Sequence, residues 1–168
     1  RLFSEEEKLG TLELLLTSPV KDWEIVMGKY LASTVILIST LLCTFFYVIL
    51  IFIYSTPDFG PLLSAYFGII LYGIATLSVG LFASSLSSNQ IVSAVVGIVI
   101  LLLLSFLDSL GAMLDGIPST IFNEIALNYH YGDFTKGVID IRNIVYYLST
   151  ASIFLFFTVL ILEMRRWR

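Results

Sequence analysis

The sequence predicts an all-α membrane protein, a polytopic helical bundle with four transmembrane helices. Two observations carry this reading. The 168 residues are 58% hydrophobic and 13% charged, with a mean hydropathy of +0.95, whereas soluble domains carry about 25% charged residues. The apolar residues are also gathered into four charge-free runs, each close to the ~20 residues that cross a bilayer as a helix. A soluble core of this apolarity would leave much of it facing water.

Residues 1–29 form the one long segment that is both charged and apolar. Ser4 followed by Glu7 fits a capping box, and Glu5, Glu6 and Glu7 suit the positive first turn of a helix. Leu9, Leu12, Leu15 and Leu16 recur at helical spacing, with Gly10, Glu13 and Thr17 on another face. The apolar run is too short to span, so an amphipathic helix lying beside the membrane is expected. Pro19 suits the first turn of a second helix with Ser18 as its cap. That helix continues through Trp23, Ile25 and Val26 into the first span, about residues 30–54. At 1.5 Å per residue this run exceeds a hydrocarbon core of about 30 Å, so it tilts or its ends emerge.

Residues 55–61 read as a turn by composition. The second span covers about 62–82, and Thr76, Gly80 and Ser84 form a small-residue stripe at fourfold spacing. Such a stripe lets another helix approach closely. After a short polar turn the third span covers about 91–107, with Asn89, Ser93 and Gly97 on one face. Both stripes are read as helix packing in preference to a substrate path. The fourth span covers about 144–162 and is followed by Glu163, Arg165, Arg166 and Arg168.

Between the third and fourth spans lie residues 108–143, too long a stretch to stay structureless in a compact protein. Residues 117–127 are apolar but too short to span, which suggests a re-entrant or interfacial helix. On it Asn123 and Glu124 are expected to face water, and Ile121, Phe122 and Ile125 to face protein or lipid. Tyr129, Tyr131 and Phe134 suit a membrane interface. Seven of the nine basic residues precede the first span or follow the fourth. The positive-inside rule therefore puts both chain ends in the cytoplasm and the acidic loop 108–143 outside.

Chemistry is mostly excluded. The sole cysteine, Cys43, lies in an apolar run, so no disulfide forms within the chain. Gly28-Lys29 is no phosphate-binding loop, because Trp23 stands where its first glycine belongs. Any ATP must then be hydrolysed by another chain. His130, the one histidine, has no cysteine or carboxylate cluster at metal spacing and reads as an interfacial loop residue. No Ser, His and Asp set suggests a catalytic triad. No ionisable residue lies inside a span, which argues against a proton-coupled transporter or an intramembrane aspartyl protease. No basic patch with interleaved aromatics points to nucleic acid. Neither a metal nor a cofactor is expected. The chain opens on Arg1-Leu2-Phe3 without an initiator Met and reads as a fragment whose N-terminal part is missing.

The stretch EEKLGTLELLLTSP (residues 6–19), with Trp23-Glu24-Ile25-Val26 and Gly28-Lys29-Tyr30-Leu31, resembles the cytoplasmic loop of ABC type-2 permeases. The resemblance is closest to the gliding-motility and nitrous-oxide-reductase-maturation branch, and residues 133–149 resemble the end of that branch. It implies that the loop holds a coupling helix docked on an ATP-hydrolysing subunit, with Gly10, Thr11, Glu13 and Pro19 in that role. It implies further an ATP-driven exporter built with a second permease copy in the cell (inner) membrane, and that the first two of six spans are missing here. The sequence departs from the family at Lys21, where the resemblance implies a Ser capping the second helix together with Glu24. A membrane scaffold or anchor for an assembly or signalling complex is the other class that this composition fits. The transported substrate is not legible, because the spans offer only apolar, small and hydroxyl side chains.

Overall fold

The structure is a computed structural model described over residues 21–166. The amphipathic helix expected between Ser4 and Ser18 lies outside the described residues. Those described form α1 (Asp22–Tyr54), α2 (Phe59–Leu86), α3 (Gln90–Gly111), α4 (Ile117–Ile125), α5 (Leu127–Thr135) and α6 (Ile141–Arg166). Four of these, α1, α2, α3 and α6, are long and apolar enough to cross a membrane. The protein is an all-α integral membrane protein.

The helix expected to start at Ser18-Pro19 starts instead at Asp22, because Lys21 is extended (φ −76°, ψ 143°) and is the N-cap. The Glu24 carboxylate accepts the Lys21 backbone N–H at 3.1 Å, which is one limb of a capping box. Lysine only donates, so it cannot supply the other limb. The acidic Asp22 and Glu24 also suit the positive helix end. The local cap is thus half kept despite the missing serine. With 33 residues, α1 is about 50 Å long and overreaches the hydrocarbon core.

The central element is α2. Half of its most apolar stretch is buried, against 6% for α1, 11% for α3 and 17% for α6. It runs antiparallel to α1 and α3 and parallel to α6. Near its C-terminal end Leu81 packs with Ile25, Val26 and Tyr30 of α1 and Leu162 of α6. Near its N-terminal end Leu71 and Ala75 pack with Leu127 and Phe134 of α5 and Tyr147 of α6. Phe82 meets Phe154 edge to face at 5.4 Å between them. The outer sides of α1, α3 and α6 carry exposed Ile, Leu, Val and Phe, as a lipid environment requires.

The connection from α3 to α6 is a cap of two short helices, where one segment over 117–127 was expected. Ala126 is extended and separates α4 from α5. The carbonyls at this break find donors on neighbouring side chains: Tyr146 Oη to Ile125, His130 Nδ1 to Ala126 at 3.2 Å, and Tyr147 Oη to Leu127 at 2.8 Å. Of the two residues expected to face water, Asn123 turns inward, whereas the Glu124 side chain is 36% exposed. The Asn123 side chain crowds over Gly111, and Glu124 pairs with Arg142. Ile117, Ile121 and Ile125, one helical face, remain exposed. Phe134, expected at a membrane interface, is instead fully buried against Gly68 of α2. His130, expected in an interfacial loop, is 2% exposed and lies within α5.

Candidate coupling root and transport face

Three places in the bundle could carry function. The first is the root of α1. Ile25, Val26 and Tyr30 are buried, whereas Trp23 and Glu24 stay exposed. The Tyr30 hydroxyl donates to the Ile74 carbonyl of α2 at 3.0 Å. One side of the root is therefore fixed to α2 and α6 by packing and by a hydrogen bond, and the other is left free. The chain leading from Gly10, Thr11, Glu13 and Pro19 enters the bundle here. Those four residues lie outside the described ones.

The second place is a cleft of about 270 Å³ between α2 and α3. Gly80 and Ser84 of α2 and Ser93, Ala94 and Gly97 of α3 line it, with Ile98 and Leu101. The two small-residue stripes therefore face one another. They meet at one point, where a Cβ on Gly97 would come 3.2 Å from that of Ala83, while Gly80 has nothing within 4 Å. Thr76 is not part of the lining, and its hydroxyl turns back to the Gly73 carbonyl at 3.0 Å. Asn89 caps α3 by accepting the Ile91 N–H at 3.0 Å, and Ser93 donates to the Ser87 carbonyl at 2.9 Å. Those two polar residues serve the tight α2–α3 turn.

The third place is the cap. The His130 ring lies flat on Tyr146 with centroids 3.8 Å apart and planes 7° apart. Its Nε2 is 3.9 Å from Glu124 Oε2, and the other Glu124 oxygen pairs with Arg142. Asn143, 4% exposed, donates to Asp133 at 3.0 Å. Burial lowers the His130 pKa below its ordinary value, against the opposing pull of the Ala126 hydrogen bond and of Asp133. Among the described residues no group of three or more His, Cys, Asp or Glu could hold a metal. Sequence reasoning did not assemble this cluster. Its parts come from three helices.

Four helices long and apolar enough to cross a membrane, with a charged segment leading into the first, describe a membrane-embedded helical domain. Comparison with known proteins gives the family: the chain matches the ABC-2 family transporter protein over residues 1–162, and it belongs to that family. It is 31% identical over 153 residues to the probable multidrug ABC transporter permease YbhR of Escherichia coli K12, and likewise to that of Escherichia coli O157:H7. Each alignment covers 89% of this chain and 39% of the relative, so the chain spans about two fifths of those proteins' length. No solved structure matches.

Proposed function

We propose that this chain is the membrane permease part of an ATP-driven exporter, in which a separate ATPase hydrolyses ATP and a second permease copy completes the pathway. The observation that supports it most is the family match over nearly the whole chain. The anchored root of α1 adds a physical route. A push on residues 1–20 would pass through Val26 and Tyr30 into α2 and α6, and rigid helices transmit such motion. In this reading the permease itself is non-catalytic. The relatives are named for multidrug transport, so an amphipathic drug-like compound is the first cargo to test. The nearer likeness to the gliding-motility branch rests on residues 6–19 and 133–149.

The coupling assignment is tested in the complete permease with its ATPase. Gly10 has no side chain, which lets a partner approach its backbone. Glu13 lies three residues on, close enough to share that face. Gly10→Trp fills the contact and Glu13→Lys reverses its charge. Either is expected to weaken association or to uncouple ATP hydrolysis from transport, with membrane insertion normal. For a buried charge pair the loss at Glu13 is about 2–5 kcal/mol, and far less for a rim charge. If both variants bind and transport like the parent, the coupling assignment is wrong.

The proposed orientation puts both ends of this chain in the cytoplasm of a cell with an inner membrane, and the α4–α5 cap outside. The seven basic residues flanking the bundle support it. Single cysteines at Ser4 and Asp115, in a Cys43→Ser background, are expected to label from opposite sides. An impermeant reagent that reaches both from one side contradicts the topology.

A further inference from the structure

We propose that His130 is an acid-operated latch: neutral, it holds the α4–α5 break onto α6, and protonated, it releases the cap. Burial of the ring favours the neutral form. In that form the Ala126 carbonyl, which only accepts, fixes the hydrogen on Nδ1 and leaves the lone pair on Nε2. The ring is 2% exposed and stacked on Tyr146, with Tyr129 and Tyr147 edge-on at 5.6 Å and 6.4 Å. A proton added at Nε2 puts a cation among these rings with little water to solvate it.

The charged neighbours compensate that cation poorly. From α4 it faces Glu124, which lies 3.9 Å away and is already engaged by Arg142 of α6. From α5 it faces Asp133, which accepts from Asn143. Arg142 repels it. No charged residue occurs on α2, and the one carboxylate of α3, Asp108, accepts the Ser109 N–H at 2.8 Å. The Glu124 oxygen that faces Nε2 is not the one that pairs with Arg142, but at 3.9 Å it is beyond hydrogen-bond reach. The imidazolium therefore gains a hydrogen-bonded partner only if the ring or the Glu124 side chain moves.

The direction follows from linkage. A histidine whose folded pKa lies below its free value of about 6.5 binds protons better once released. Its contribution to closure is complete above that free value. The contribution is lost as pH falls through the lower folded value. Acid opens the cap, and neutral pH closes it. The cap is packed on α2 through Phe134 and on α6 through Tyr147, so its release frees one end of the central helix.

The experiment uses the intact permease in lipid nanodiscs, with spin labels at the exposed Thr56 and Thr120. Their separation is measured from about pH 8 down to pH 5, the window in which a histidine titrates. The parent is expected to gain a longer-distance population on acidification and to lose it on return. His130→Gln keeps an amide donor for Ala126, and His130→Phe keeps the stack on Tyr146. Neither titrates, so each is expected to hold one separation throughout. The latch is overturned if the parent does not respond, or if a folded variant responds as the parent does. Should neither variant fold, the parent's midpoint decides. A value near about 4 assigns the change to a carboxylate and overturns the proposal, whereas one between there and about 6.5 supports it.

Discussion

Gly68→Ala is expected to unseat α5 from the bundle, an effect out of proportion to one methyl group. A Cβ at Gly68 would lie 2.7 Å from both Cβ and Cγ of Phe134. Phe134 is fully buried, and its β-carbon is fixed to the α5 backbone, so no rotamer change relieves the overlap. The helix itself must move. Overpacking of this kind costs about 1–3 kcal/mol, and here it also strains the bond from Tyr147 to the Leu127 carbonyl. Gly73→Ala is the contrasting case, because the atom in the way is a terminal methyl of Leu37, which can swing aside. Gly80→Ala meets nothing within 4 Å. Thermal unfolding in detergent should rank Gly68→Ala well below the other two, with faster hydrogen exchange over residues 127–135. Equal melting of all three would show that α5 does not seat on α2 at Gly68.

Under the coupling role proposed above, Val26→Asp is expected to abolish transport while the protein still inserts. Val26 is fully buried between α2 and α6, with Leu81 and Leu162 against the same cluster. An unpaired buried carboxylate costs about 3–5 kcal/mol, enough to lift the root of α1 from the bundle. The charge-free run that begins at Tyr30 is untouched, so insertion has no reason to fail. Val26→Ile adds one methylene and no charge, at a cost of about 1–3 kcal/mol in a packed core. In the assembled transporter, ATP hydrolysis should lose its response to cargo in Val26→Asp and keep it in Val26→Ile. Parent-like transport by the aspartate variant would mean that force does not enter through this root.

The spans were legible because charge is so costly in lipid that its absence over long runs has few other meanings. Helix ends were less so. Pro19 is a good first-turn residue, yet the helix waits for Asp22, since Glu24 can bond back to Lys21. The cap was half legible. Its helicity followed from its length, but the break at Ala126 did not, because alanine is the best helix former and no Gly or Pro marks the place. The break depends on Tyr146 and Tyr147, some twenty residues further along the chain. The burial of His130 has the same origin, since its platform belongs to another helix. Each stripe marks a helix-packing face but names no partner, so neither their facing arrangement nor the space left between them followed from the sequence.

The uneven burial of the helices bears on what each stretch of sequence has to specify. On α1, beyond its root, most side chains are exposed, with Leu37 and Val48 among those turned toward the bundle. Almost any apolar residue satisfies lipid there, so that stretch encodes little more than hydropathy. The middle helix α2 is just as apolar, but its information is volumetric: Gly68, Gly73, Ala75, Ser78 and Ala83 set how near the neighbouring helices come. A substitution table for α1 should therefore sort by polarity and one for α2 by size, two alphabets written in the same hydrophobic letters.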